Sequence, residues 1–233
     1  MTATQCQHTC MSKQHLTFVR FYAAFPQIYC NFVSGFEATH CQTTIIQLPN
    51  MDKSITVNGL RFSPYLDREQ IAAEVKRVAS EIRRDLEGRR PLFICVLTGA
   101  FMFAADLIRE VGITDSSVAF VRYSSYEGTQ TTGEVKQLMG LKEDIEGRDV
   151  VIIEDIVDTG LTACKMMEDL GARKPASLRF ATLLHKKESS RTGFVPDYVA
   201  FTIPSDFIIG YGLDLDGSAR NLPDIYVHED YDN

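Results

Sequence analysis

Basic residues and long apolar runs are both scarce in this sequence of 233 residues. It has 24 Lys and Arg against 31 Asp and Glu, which gives a formal net charge of −7. A protein that binds nucleic acid non-specifically needs several cations to neutralise phosphates, so we predict no nucleic-acid partner. The longest apolar stretch, residues 91–105, is interrupted by Thr98 and Gly99. A spanning helix needs about 20 apolar residues, so we predict no membrane partner either.

Charge is nearly absent from residues 1–50, which contain one acidic and two basic residues but four of the six cysteines. They have no Cys-x-x-Cys pair to complete a zinc site, and they are not rich in arginine as a transit peptide would be. We expect residues 1–50 to be a disordered or non-native extension and residues 51–233 to be the working domain. Cys95 and Cys164 lie in apolar patterns typical of buried side chains, so we expect a reducing, cytoplasmic location.

The rest of the sequence alternates between helical and strand patterns. Apolar residues recur at helical spacing in residues 68–87, and residues 92–97 form an apolar run typical of a strand buried on both faces. The predicted elements are helices over 68–87, 101–111 and 161–170, strands over 92–97, 117–124, 149–154 and 178–184, and short strands over 198–202, 207–209 and 225–227. Residues 125–136 read as a long loop or mobile hairpin. This order predicts an α/β fold, a mainly parallel twisted sheet flanked by helices, with ligands at the carboxyl ends of the strands.

The strongest chemical signal follows the apolar residues 150–153. Glu154, Asp155 and Asp158 repel one another unless a cation or a polyol is bound, and Mg²⁺ or ribose hydroxyls would suit them. Residues 158–162 then open a helix with two hydroxyls and a glycine, which is typical of a phosphate-binding loop. A phosphoribosyl group carries both a diol and a phosphate. Two alternatives remain: a plain helix N-cap, and an aspartyl-phosphate phosphatase, whose usual pattern is Asp-x-Asp.

Residues 151–160 resemble the phosphoribosyl-pyrophosphate motif of the type I phosphoribosyltransferases. The resemblance is closest to their hypoxanthine (hypoxanthine-guanine) branch and covers roughly residues 55–228. Further matching segments are 97–100, 124–126, 184–187, 196–199, 207–214 and Arg220. For the fold, the resemblance implies the type I phosphoribosyltransferase architecture, with a small hood formed by the terminal segments.

For function, the resemblance implies transfer of the 5-phosphoribosyl group from 5-phosphoribosyl-1-pyrophosphate to a 6-oxopurine. The base would be hypoxanthine, and also guanine, and the products would be IMP or GMP and pyrophosphate, in purine salvage. It also implies Mg²⁺ as cofactor and a homodimer or homotetramer. Other bases (xanthine, guanine alone, uracil) remain open, as does a regulatory RNA-binding protein of the same fold with uracil phosphoribosyltransferase activity.

The resemblance also implies roles for individual residues around the sugar. Asp158 would be the general base near the purine N7, while Glu154 and Asp155 would hold the ribose hydroxyls and the Mg²⁺ shell. The 5′-phosphate would be bound by Asp158, Thr159, Gly160, Leu161, Thr162 and Ala163. Asp214 would complete a second Mg²⁺ site and contribute to purine binding.

The remaining implied roles concern the base, the leaving group and a lid. Lys186 would donate to the purine 6-oxo group, although a lone lysine after a strand is more often solvated; Phe207 would stack on the ring and the Ile208 backbone would pair with the base edge. Pyrophosphate would be bound by Thr98, Gly99 and Arg220. Many relatives carry lysine where Thr98 stands, so one positive contact is missing or supplied elsewhere. Ser125 and Tyr126 would head a mobile loop that closes over the site.

Overall fold

The computed structural model describes residues 53–125 and 135–229, so the prediction for residues 1–50 lies outside the described residues. The described strands are β1 (Ile55–Val57), β2 (Leu60–Leu66), β3 (Leu92–Val96), β4 (Ser117–Ser125), β5 (Val135–Met139), β6 (Asp149–Val157), β7 (Ser177–His185), β8 (Tyr198–Thr202), β9 (Ile208–Ile209) and β10 (Ile225–His228). The described α-helices are α1 (Arg68–Leu86), α2 (Phe101–Val111) and α3 (Leu161–Gly171), and a short 3-10 helix spans Lys187–Ser189.

The larger sheet in the described part of the chain has six strands in the order β5-β4-β3-β6-β7-β8. Five of them are parallel, and β5 pairs antiparallel with β4 at one edge. Each parallel crossover in sequence order is made through a helix or a long connection, as parallel strands require. The predicted α/β fold with a mainly parallel sheet is therefore confirmed.

The sheet is buried on both faces, which explains the continuous apolar runs in its central strands. In β3, Phe93 and Cys95 pack in the cluster that contains α1 and α2, whereas Leu92, Ile94 and Val96 pack in the cluster that contains α3. This alternation follows from the two-residue period of a strand. Helices therefore lie on both faces and leave the strand ends free for a site.

The start of α1 is satisfied by its own side chains. Asp67 accepts the Gln70 backbone N–H at 2.7 Å, and the Gln70 side chain accepts the Asp67 backbone N–H at 2.9 Å. This reciprocal arrangement is a capping box.

None of the described helices combines the length and the apolar character that a membrane span requires.

A second sheet is built from the segments at the two ends of the described chain. Its four strands have the order β1-β2-β10-β9 and are antiparallel. The buried Asp224 ties it to α1, since its carboxylate accepts the backbone and side-chain N–H groups of Arg68, at 2.9 Å for the backbone and 2.7 Å for one guanidinium nitrogen. That this sheet serves as a hood over the site stays a prediction.

Two predictions differ from the structure. The strand predicted over 149–154 continues to Val157 as β6, so Asp155 also lies inside the strand and not after it. Cys95 is buried as predicted, but Cys164 is only partly buried. By contrast, the segment 125–136, predicted as a long loop or a mobile hairpin, is flanked by antiparallel strands, because Ser125 on β4 pairs with Val135 on β5, which agrees with the hairpin alternative.

Candidate active site

Three neighbouring parallel strands carry the predicted motifs at their carboxyl ends. In the sheet, β3, β6 and β7 lie side by side. They are followed by residues 98–99, residues 158–162 and Lys186, respectively. Because the strands are parallel, these three segments meet at one edge of the sheet, which is where α/β proteins bind their ligands.

The two acids near the end of β6 form a poorly satisfied pair. Burial raises the pKa of Glu154 well above its ordinary value, and the charge of Asp155 raises it further. Burial also raises the pKa of Asp155. The Glu154 Oε2 atom is buried and has no hydrogen-bond partner among the described residues. A buried carboxylate oxygen without a partner is costly, so this pair is suited to a cation or to donor hydroxyls.

Gly99 brings the predicted pyrophosphate loop onto these acids. A Cβ built on Gly99 would collide with the Asp155 carboxylate, so no larger residue fits without displacing that acid. The side chain of the preceding Thr98 is exposed, and the Leu97–Thr98 peptide bond is cis. The structure therefore brings together the predicted pyrophosphate loop and one of the predicted metal-binding acids.

The loop after β9 covers the other side of Gly99. Gly212 has φ of 103°, and a Cβ on it would collide with the Gly99 carbonyl oxygen. Arg220 donates to the Gly212 carbonyl oxygen at 2.7 Å and forms an ion pair with Asp214 at 2.7 Å. The positive charge of Arg220 also lowers the pKa of Asp155, against the effect of burial. Predicted pyrophosphate and metal residues from distant parts of the sequence thus lie in one place.

The predicted phosphate loop runs into α3 through Gly160. This residue is the N-cap and has φ of 82°, in the left-handed region that glycine tolerates best. Gly160 has no capping side chain, and Thr159 Oγ1 accepts from the Leu161 backbone N–H only at the long distance of 3.5 Å. Such a bond is weak, so the alternative that Asp158 or Thr159 is simply an N-cap finds little support. The first amides of α3 are therefore not strongly capped, and a helix start of this kind favours an anion.

Asp158 and Lys186 lie beside each other although 28 residues separate them. The Lys186 Nζ is 3.3 Å from the Asp158 Oδ2, and the Lys186 backbone N–H donates to the Val157 carbonyl oxygen at 2.9 Å. Lys186 is 8% exposed, so the alternative of a solvated surface lysine is wrong. A buried lysine is rare without a partner, and here its ammonium group faces the predicted general base.

Phe207 and Ile208 lie at the start of β9, an edge strand of the second sheet. The Phe207 ring packs 6.1 Å from Phe62 and 6.4 Å from His228, centroid to centroid. The Phe207 carbonyl oxygen accepts the His228 backbone N–H, and bonded and non-bonded pairs alternate in antiparallel sheets. The backbone groups of Ile208 therefore point away from β10, toward the open edge. Stacking of Phe207 on a purine stays a prediction.

The predicted lid falls mostly on undescribed residues. Ser125 is the last residue of β4, whereas Tyr126 lies outside the described residues. The lid therefore stays a prediction.

Sequence reasoning missed two contributors to this site. The close approach of Gly212 to Gly99 was not foreseen, although the Gly-x-Gly spacing of residues 210–212 is a signal of tight backbone contact. The second is Thr192, whose side chain lies against Gly160. A threonine in a polar loop carries no local signal of such a role.

Comparison with known proteins identifies the family. The family model of the phosphoribosyl transferase domain matches residues 63–216. The hypoxanthine-guanine phosphoribosyltransferase of Streptococcus thermophilus is 41% identical over 161 residues, which cover 69% of this chain and 89% of that protein. The enzyme of the same name from Aquifex aeolicus is 38% identical over 176 residues, covering 75% of this chain and 98% of the relative.

Solved structures agree with the sequence relatives. A crystal structure of a hypoxanthine-guanine phosphoribosyltransferase from Bacillus anthracis, with a HEPES molecule in its active site, is similar with a TM-score of 0.67 and 42% identity. The match covers 71% of this chain and 97% of that one. With the acid pair, the weakly capped helix start and the Asp158–Lys186 contact at neighbouring strand ends, these matches lead to one conclusion: the chain belongs to the phosphoribosyltransferase family.

Proposed function

We propose that this protein transfers the 5-phosphoribosyl group from 5-phosphoribosyl-1-pyrophosphate to a 6-oxopurine in purine salvage, and that residues 51–233 are its working domain. The observation that carries the proposal is the contact between Asp158 and Lys186 at the entrance of the phosphate loop. It sets a carboxylate and an ammonium group where a base would meet the ribose. The relatives' names, hypoxanthine-guanine and, in Tritrichomonas foetus, hypoxanthine-guanine-xanthine phosphoribosyltransferase, support the same substrates.

The reaction needs stabilisation of positive charge at the ribose C1 as pyrophosphate leaves. Glu154 and Asp155 would hold the ribose hydroxyls, and residues 159–163 would hold the 5′-phosphate on the start of α3. Asp158 would accept the proton from the purine as the new bond forms, which is general base catalysis. Arg220, with Gly99, would bind the leaving pyrophosphate, since a guanidinium group matches phosphate oxygens.

Magnesium fits the donor set of this site. Mg²⁺ is usually held by one or two carboxylates together with waters and substrate phosphates. Glu154 and Asp155 form such a pair, and Glu154 Oε2 lacks a partner among the described residues. No group of three or more metal-ligating side chains occurs in the described part of the chain, which suits a metal that arrives with its substrate. Bound Mg²⁺ would neutralise charge on the pyrophosphate, and Asp214 would contribute a second position.

Selectivity for the base would come from Lys186. Its ammonium group donates hydrogen bonds and cannot accept them, so it favours a 6-oxo group and disfavours the 6-amino group of adenine. Phe207 would stack on the ring, and the outward-pointing backbone of Ile208 would pair with the base edge. The alternative of an RNA-binding protein with uracil as substrate finds no support in the Streptococcus thermophilus and Tritrichomonas foetus relatives, which are named for purine bases.

Pyrophosphate binding at Thr98 would rely on the backbone. The threonine has no positive charge, so the anion would be met by amides that Gly99 allows to approach closely. The charge that a lysine would contribute is supplied in part by Arg220, which is close enough to Asp155 to lower its pKa.

We also propose that the protein acts as a homodimer or homotetramer in the cytoplasm. Val118 and Phe120 on β4 and Leu138 on β5 are 44%, 50% and 59% exposed at one edge of the larger sheet. Exposed apolar groups of this size often mark an interaction surface. The hypoxanthine phosphoribosyl transferase of Trypanosoma cruzi, which is 40% identical, has been studied for the role of its C-terminal region in oligomeric state and enzymatic activity. For location, the two described cysteines are free thiols, as in a reducing compartment.

A product assay with five bases tests the proposed function. The full chain is incubated with phosphoribosyl pyrophosphate, Mg²⁺ and hypoxanthine, guanine, xanthine, adenine or uracil, and nucleotide is quantified by chromatography. We expect nucleotide with hypoxanthine and guanine, and at least 100-fold less with adenine, since an unpaired polar group in such a site costs a few kcal/mol. A preference for adenine or uracil would overturn the assignment of Lys186.

A further inference from the structure

The connection between β7 and β8 contacts the backbone of the phosphate loop. Its residues 190–194 have the sequence Ser-Arg-Thr-Gly-Phe and are called the strap. The Arg191 backbone N–H donates to the Thr159 carbonyl oxygen at 2.9 Å. A Cβ built on Gly160 would collide with Thr192 Oγ1, so the Thr192 side chain fills the space beside that glycine. The strap therefore lies on the two residues at which the phosphate loop enters α3.

The Thr192 hydroxyl links the strap to the loop. It accepts the Phe194 backbone N–H at 3.2 Å and points toward the Thr159 carbonyl oxygen at 3.5 Å. The Ser190 side chain closes the same turn by accepting the Gly193 backbone N–H at 3.1 Å. Short hydroxyl side chains commonly shape turns in this way. The strap is thus a turn organised by its own side chains, and one of these hydroxyls also faces the phosphate loop.

Both ends of the connection are fixed to the sheet. The Phe194 ring packs edge-on against Phe180, with centroids 5.1 Å apart, and Phe180 is fully buried in the core beside α3. At the other end, Lys186 is bonded to Val157 and faces Asp158. One stretch of chain therefore runs along residues 157–160 and contacts them at both the proposed purine end and the proposed phosphate end.

Gly160 is a residue that requires such support. Glycine loses more conformational freedom on ordering than any other residue. Gly160 has no side chain to cap α3, and Thr159 Oγ1 meets the first amide only at 3.5 Å. A loop that becomes ordered only when its ligand arrives loses affinity by the cost of that ordering. Contacts that order Gly160 in advance would avoid this loss.

We propose that the strap holds the phosphate loop in its binding conformation before the ligand arrives, and that Thr192 is a positioning residue for the 5′-phosphate. The inference rests on the proposed function, because it takes residues 159–163 as the 5′-phosphate site. It requires that loss of the Thr192 hydroxyl weaken the binding of ligands that carry a 5′-phosphate and leave unchanged the binding of ligands that lack one.

Two ligands that differ only in the 5′-phosphate distinguish a specific effect on the phosphate site from a general loss of structure. Dissociation constants for IMP and inosine are measured by titration calorimetry on the full chain, for wild type, Thr192→Val and Thr192→Ser. Valine keeps the branched shape and removes the hydroxyl, whereas serine keeps the hydroxyl. Thr114→Val is the matched control, since Thr114 is exposed in the turn before β4, at the amino end of that strand.

We expect Thr192→Val to weaken IMP binding about fivefold. One hydrogen bond contributes about 1 kcal/mol, which corresponds to a change of this size. Inosine binding should stay within about twofold, and Thr192→Ser and Thr114→Val should match wild type. The KM for phosphoribosyl pyrophosphate should rise in the valine variant, with the KM for hypoxanthine unchanged.

Three results would overturn the inference. Unchanged IMP binding in Thr192→Val would remove the positioning role, and equal weakening of IMP and inosine would reduce it to general structural support. In either case wild type would still prefer IMP to inosine, and the proposed function would stand. A wild-type protein without that preference would have no 5′-phosphate site, and the proposed function would fail together with the strap.

Discussion

The described helices begin in two different ways. At the start of α1, Asp67 and Gln70 satisfy each other's backbone N–H groups. The N-cap residues of α2 and α3, Ala100 and Gly160, make no side-chain cap hydrogen bond. The difference follows location, because α1 begins beside the second sheet, whereas α2 and α3 begin at the strand ends where Gly99 meets the acids of β6.

Acidic side chains show the same contrast as the helix starts: one away from the site is satisfied by a hydrogen bond, whereas those in the site are not. Away from the site, Tyr198 donates to Asp85 at 2.8 Å, and this hydrogen bond lowers the pKa of Asp85. In the site, burial raises the pKa values of Glu154 and Asp155. Satisfied groups stabilise the fold, while unsatisfied groups at a site are maintained for a ligand at some cost in stability. Substitutions in the site should therefore lower activity more than stability, whereas substitutions at satisfied groups away from the site should lower stability and leave activity unchanged.

Replacement of Asp158 by asparagine should have the largest effect, and on activity alone. The change removes the proposed general base while keeping its size, so kcat should fall about 10²- to 10⁴-fold. The free energy of unfolding should change by about 0.5 kcal/mol or less, because Asp158 is half exposed and the asparagine side-chain oxygen can still accept a hydrogen bond from the buried Lys186 ammonium group. Steady-state nucleotide formation and urea unfolding measure the two quantities.

The matched control for this change is Asp115→Asn, at an exposed acid in the turn before β4. It should leave both kcat and stability unchanged. Full activity in Asp158→Asn would contradict its role as base, and a large loss of stability would break the contrast between the regions.

Glu154 allows the cost of an unsatisfied acid to be measured as a function of pH. Because burial raises its pKa, the native protein holds a proton that the unfolded chain has already lost. The free energy of unfolding of wild type therefore falls as pH rises above the ordinary carboxyl pKa of about 4.3. Glu154→Gln has no such proton to lose. Without divalent cations, it should be about 1 kcal/mol more stable than wild type near pH 8, and similar near pH 4.

Urea unfolding at pH 4, 6 and 8 measures this difference, with Glu110→Gln, at an exposed position of α2, as the control. The same Glu154 variant should form less nucleotide, since it loses a proposed ligand of the ribose and the metal. A variant less stable than wild type at every pH would mean that Glu154 supports the fold.

The elements that sequence reasoning predicted well depend on local patterns. The helix predicted over 68–87 matches α1, and the run over 92–97 matches β3, because each has a clear period or a continuous apolar run. The strands β1 and β2 were not predicted. β1 has only three residues, and β2 gains its partner β10 from the other end of the chain, as in the pairing of Pro64 with Tyr226.

The site residues follow the same rule: those in one local motif were predicted, and contacts between distant segments were not. The acids and the phosphate loop follow one another in sequence, so a motif was enough to find them. The contacts of Gly99 with Asp155 and of Asp158 with Lys186 join segments that only the folded sheet brings together. The extension of β6 to Val157 was also missed, because charged residues inside a buried strand contradict the pattern on which strand prediction depends.

The smallest expected effect lies at the satisfied helix start. Asp67→Ala removes the acceptor for the Gln70 N–H, so the free energy of unfolding should fall by about 1 kcal/mol, with kcat and KM unchanged. Thr159→Ala, before α3, should cost less than half as much stability, because Thr159 Oγ1 is 3.5 Å from the Leu161 nitrogen and such a bond is weak. It should instead weaken phosphoribosyl pyrophosphate binding. Urea unfolding and steady-state kinetics on both variants test this, and equal losses of stability would mean that α3 is capped like α1 and that its start is not kept open for an anion.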